Sequence, residues 1–130
     1  TAWSILGLCA LDRGDYAEAR HCRREVMLRY EVKDFWAPDL SYIEMFLARQ
    51  TALEGEPEQA LDRLERAIAA YEDREVCCRS RLQLERARLL MDIDPRESRR
   101  QAEEVRVRAV RMEAQPLIAK AEAILARVSA

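Results

Sequence analysis

A short signature recurs in this chain. Gly14-Asp15-Tyr16-Ala17-Glu18-Ala19 and Gly55-Glu56-Pro57-Glu58-Gln59-Ala60 both run from glycine through an acidic residue to an alanine, 41 residues apart. Ala19, Ala60 and Ala102 line up at steps of 41 and 42, and Val26, Ala67 and Ala109 repeat those steps. Small residues also stand seven positions before each glycine, as Gly7 and Ala48. Self-similarity at a period of 20–50 residues marks a stack of supersecondary units. Each unit leaves an apolar face that only its neighbour can cover.

The units are helical. Glycine or proline punctuates the chain at Gly14, Pro38, Gly55-Glu56-Pro57, Pro95 and Pro116, with a further polar break at Glu72-Asp73-Arg74. Glycine just past a helix end and proline in the next first turn is the usual asymmetry. The spacing predicts seven helices over 2–12, 15–31, 36–53, 57–72, 75–92, 96–112 and 116–128. Apolar stripes at helical steps support them: Trp36, Leu40, Ile43 and Leu47; Leu61, Leu64, Ile68 and Tyr71; Val105, Ala109 and Met112; Leu117, Ala121, Ile124 and Val128. A coiled coil would need uninterrupted heptads, which these breaks forbid. Short helices with short connections give antiparallel hairpins. Composition agrees: Ala, Leu, Glu, Arg and Lys make up 73 of 130 residues, and Val, Ile and Thr only 15.

Close approach of two helices needs small side chains. Gly7 and Ala48 are expected to sit against Ala19 and Ala60, with Leu6, Leu47, Val26 and Leu64 filling the layers around them. Trp3, Leu6 and Gly7 followed by Gly14, Tyr16 and Ala19 resemble the tetratricopeptide repeat (TPR) motif. Leu47, Ala48, Gly55, Ala60 and Ala67 keep part of it, and Ala102 and Ala109 less. Asp94-Pro95 stands where the third glycine would be, with about three residues inserted before Ala102 if Ala87 is the small residue. The register of helix 75–92 is therefore open. The resemblance implies an all-α superhelix of antiparallel hairpins. Its repeats would span about 1–34, 35–74 and 75–114, followed by a terminal helix, 116–128, that is either a cap or half of another repeat. The long period is similar in style to repeat arrays in large bacterial LuxR-type and maltose-activator-type transcription regulators.

Charge and cysteine usage narrow the function classes. The formal net charge is −2, so no global positive field draws nucleic acid or an anionic membrane. No apolar run approaches the ~18–20 residues of a membrane span. Thr1-Ala2-Trp3-Ser4 has no signal-peptide character, and helical patterning already runs at Trp3, which reads as a piece of something longer. Cys9, Cys22, Cys77 and Cys78 lack paired zinc-ligand spacing and read as reduced thiols in a cytoplasm. His21, the single histidine, falls among Arg20, Arg23 and Arg24 on a helix face. No phosphate loop, H-E-x-x-H or catalytic triad is present, so neither an enzyme, a metal nor a cofactor is expected. Arginine supplies 20 of the 22 basic residues. Interleaved acids such as Glu97, Glu103 and Glu104 make most of these arginines solvated pairs, Glu104–Arg108 among them.

The resemblance places first helices on a concave groove. By position, Tyr42, Met45, Arg49 and Leu53 would line it in the second repeat, and Leu84, Arg88 and Met91 in the third. Tyr, Met and Arg are interface-enriched types, yet Met45, Leu84 and Met91 equally suit core between repeats. Phe35 and Trp36 could anchor a partner or pack a loop. Three functions remain open: a scaffold for a protein, peptide or neighbouring domain within a bacterial regulator; a homodimerisation module; or a small-molecule inducer sensor.

Overall fold

A computed structural model describes residues 2–30, 37–71 and 75–129. Phe35 and Trp36 lie outside them. Every regular element among the described residues is an α-helix: α1 (Ala2–Arg13), α2 (Tyr16–Tyr30), α3 (Ala37–Leu53), α4 (Pro57–Tyr71), α5 (Val76–Leu90), α6 (Pro95–Arg111) and α7 (Gln115–Ser129). The ends agree with the sequence expectation to within two residues. The chain divides into two compact units, residues 1–63 and 64–130, with the boundary inside α4. In the first unit α1 packs on α2 and α3, and α2 touches α3. In the second, α5 packs on α6 and α7, and α6 packs on α7. No described helix is long and apolar enough to cross a membrane.

The turns explain the hairpins. Gly14 (φ 75°) and Gly55 (φ 91°) take the left-handed conformation that side chains resist. Each lets the next residue donate its N–H back across the helix end, Asp15 to the Ala10 carbonyl at 2.8 Å and Glu56 to that of Thr51 at 3.1 Å. The acid then opens the following helix. The Asp15 carboxylate accepts from the Glu18 N–H at 3.2 Å, and the Asp94 carboxylate accepts from the Glu97 N–H at 3.2 Å.

These caps correct the expected register. The first helical hydrogen bonds run from the Ala19, Ala60 and Ser98 N–H groups to the carbonyls of Asp15, Glu56 and Asp94. The repeated positions are therefore 41 and then 38 residues apart, and Ser98, not Ala102, corresponds to Ala19 and Ala60. Seven residues on come Val26, Ala67 and Val105, all buried. Ser98 lies directly on Ala87, its hydroxyl donating to the Ala87 carbonyl at 2.6 Å, so Ala87 is the small residue of the third hairpin. No insertion precedes α6. The α5–α6 turn has no residue at positive φ and is one residue shorter than the glycine turns, measured back to the small residue. Ala102 and Ala109 are buried one turn farther along.

A Cβ placed at Gly7 would first meet the fully buried ring of Phe46 on α3, so that helix also requires a small residue there. One packing expectation changes. Leu6 does not fill a core layer, since it is 51% exposed, whereas Leu47, Val26 and Leu64 are buried as expected. Trp3 instead meets the edge of His21 on α2, with ring centroids 5.4 Å apart and planes at 88°. The Arg29 guanidinium lies over the same indole at 5.6 Å. In the second unit the core gathers Leu84, Ala87, Ala102, Val105, Ala109, Leu117, Ala121 and Ile124.

Candidate interaction surface

The seven groove candidates fall on α3 and on the α5 segment, and the structure uses them differently. Tyr42 is half-buried and Met45 buried on α3. Arg49 reaches α1, where its guanidinium sits 3.2 Å from the Asp12 carboxylate, so it ties two helices together. Leu53, at the end of α3, is 56% exposed. In the second unit Leu84 is buried within the core cluster and Met91 packs against it. The Arg88 side chain is 44% exposed and lies 3.4 Å from the buried Glu85 carboxylate. Leu53 and Arg88 thus offer open surface, one in each unit, and Tyr42 is half-buried.

Arginine does more than solvate helix faces. Arg86 on α5 is the hub of an ion-pair chain, its side chain only 18% exposed. It meets Glu65 on α4 at 3.2 Å and, on α6, Glu97 at 3.3 Å and Gln101 at 2.6 Å. Glu97 continues to Arg100 at 2.6 Å, Arg100 to Glu104 at 3.1 Å, and Glu104 to Arg108 at 3.1 Å. Arg108 returns to α5 through Gln83 at 2.8 Å and Ser80 at 3.2 Å. One planar fork serving several acceptors is chemistry that lysine lacks. These inter-helix ties were invisible in the sequence, because their partners lie 11 to 28 residues apart.

The Arg100 hydrogen bond, aided by that of Arg86, holds the Glu97 carboxyl down at about 2. A carboxylate whose folded value is depressed stabilises the fold above its unfolded value and loses that contribution as pH falls. Urea titrations of the wild type and of Glu97→Gln should therefore differ by a constant amount above about pH 5. The difference should shrink as pH falls from about 4.5 towards about 2. A gap that stays the same at pH 3 would rule out this role for Glu97.

The cysteines are unbridged: Cys9 and Cys77 are exposed, Cys22 and Cys78 buried. Burial, and then the neighbouring Glu18 carboxylate, push the Cys22 thiol up. Among the described residues no group of three or more His, Cys, Asp and Glu side chains could hold a metal ion. The sequence reading passed over the outer side of α1. Its stripe of Ala2, Ile5, Leu6 and Cys9 is exposed, and the spacing was readable as the second apolar face of one helix.

Compared with protein-family models, with curated proteins and with solved structures, the chain matches none.

Proposed function

We propose that this domain is a protein-interaction module of the tetratricopeptide type, a scaffold serving a larger bacterial signalling or transcription regulator. The observation that carries the reading is the recurrence of one hairpin design. In each case a cap residue opens the second helix, a small buried residue follows four positions on, and another buried residue follows seven later. Hairpins of that design cover one another through small residues, and Leu53 on α3 and Arg88 on α5 remain open for recognition. The TPR resemblance supports the same reading, and its link to regulators rests on the resemblance alone. The partner is a protein, a peptide or a neighbouring domain, and the mechanism is recognition without chemistry. Unbridged cysteines fit a reducing, cytoplasmic setting.

A displayed library of random peptides, selected on the immobilised chain, tests this. Enriched peptides should bind the wild type and lose at least tenfold in affinity to Leu53→Asp or Arg88→Glu. Leu53→Asp should melt near the wild-type temperature, because that position is open, whereas Arg88→Glu sets a second carboxylate beside the buried Glu85 and should melt lower, so the Leu53 variant decides the test. No enrichment would sink the reading, as would peptides indifferent to both substitutions. A metabolite that raises the melting temperature of the monomer in the absence of any peptide site would favour the sensor reading in its place.

A further inference from the structure

α2 carries Arg20, Arg23, Arg24 and Arg29, and the fold engages two of them. Arg23 reaches Gln50 on α3 at 3.4 Å and Glu54 at 3.7 Å. Arg29 holds the Glu25 carboxylate at 2.6 Å and lies over the Trp3 ring. Arg20 and Arg24 are exposed and have no ion-pair partner among the described residues. The acids of α2 are turned elsewhere. Glu18 accepts from the Cys22 thiol at 3.8 Å. Glu25 is held first by Arg29, and Arg24 is the last of the charges that act on it. Helical spacing sets Ala17, Arg20, Arg24, Met27 and Leu28 on one face, opposite the buried Ala19, Cys22 and Val26. Leu28, at 71% exposure, is the most open large apolar side chain among the described residues, and Met27 beside it is exposed as well.

We infer that this face of α2 docks an acidic, amphipathic segment of another protein. Two carboxylates one helical turn apart would pair with Arg20 and Arg24, and an apolar side chain about one turn farther on would cover Met27 and Leu28. Charge complementarity selects that occupant. Four residues of helix rise about 6 Å, so the two guanidinium groups stand one turn apart with no carboxylate between them on the face. A guanidinium takes a carboxylate in a bidentate pair, and the apolar turn next to it keeps water from that pair. A nucleic acid suits the face less well. It would gain two phosphate contacts, would leave Leu28 and Met27 against a charged backbone, and would find no aromatic ring on the stripe to stack upon. The face includes neither Leu53 nor Arg88, so it stands or falls independently of the proposed function.

Selection of a random displayed peptide library on the Leu53→Asp chain tests this face with the other surface blocked. Enriched peptides should carry two acids one turn apart and an apolar residue about one turn beyond. Their affinity should fall at least about tenfold when Arg20→Gln and Arg24→Gln are added together, and again when Leu28→Gln is added alone. It should also weaken between about 50 and about 500 mM salt. All three positions are exposed, so the circular dichroism of each variant should match that of the parent. No enrichment overturns the inference, as do enriched peptides without acids or binding that is indifferent to either variant. A short DNA duplex, or a phosphatidylserine vesicle, that binds through Arg20 and Arg24 with Leu28→Gln inert would assign the face to a polyanion and overturn it too.

Discussion

Phe46→Ala should cost about 3–5 kcal/mol of stability, the range for truncating a buried aromatic ring. The ring is fully buried and occupies the space that a side chain at Gly7 would need, so α1 and α3 meet at this point. The reciprocal change tests the same contact from the other side. Gly7→Ala gains about 1 kcal/mol in helix propensity. It should lose about 1–3 kcal/mol to overpacking, because the buried ring has little room to move. The net effect should be a lower urea midpoint. Gly7→Ala combined with Phe46→Leu should then be more stable than the sum of the single changes by about 0.5 kcal/mol or more. A stabilised Gly7→Ala, or strict additivity in the double variant, would mean that α1 and α3 do not meet at this point.

The second large effect lies in the ion-pair chain of the second unit. Arg86→Ala should cost about 2–3 kcal/mol, because it strips Glu97, Gln101 and Glu65 of a shared donor that is largely withdrawn from water. Arg100→Ala, in the same chain, should cost under about 1 kcal/mol, because its side chain is 59% exposed and its pairs are screened. Chemical denaturation of both variants checks the contrast. Equal losses would show that burial does not set the worth of these pairs. A loss on Arg86→Lys nearly as large as on Arg86→Ala would identify the fork geometry, rather than the charge, as the stabilising feature.

Helices were legible because Gly14, Gly55, Pro57, Pro95 and Pro116 each act through local backbone geometry, which needs no knowledge of distant contacts. Small buried positions at Ala19, Ala48, Ala60 and Ala87 were legible for a related reason: a hairpin's closest approach tolerates little else. The third hairpin was misaligned because its turn dispenses with the left-handed residue and is one position shorter. The serine at its contact point, Ser98, also hides the small-residue pattern that alanine had set. That Gly7 also faces Phe46 on α3 was not legible, because periodicity identifies a face but not every helix that covers it. For the same reason Met45 and Leu84 could not be told from groove residues, since core and groove share one helical spacing. The Arg86 chain and the seating of Trp3 between His21 and Arg29 depend on side chains that meet only after the helices have packed.

The fold is defined by which side of each helix faces inward, and the four cysteines report on this directly. Cys77 and Cys78 are adjacent in α5, one exposed and one buried, while Cys9 and Cys22 make the same contrast between α1 and α2. Timed alkylation of the native protein at low micromolar concentration, read residue by residue by mass spectrometry, measures all four at once. Cys9 and Cys77 should react at close to the rate of a free thiol, and Cys22 and Cys78 orders of magnitude more slowly, with the raised thiol of Cys22 adding to its protection. Rapid labelling of Cys78 or Cys22 in the folded protein, or equal rates at Cys77 and Cys78, would contradict the hairpin packing and every inference drawn from it.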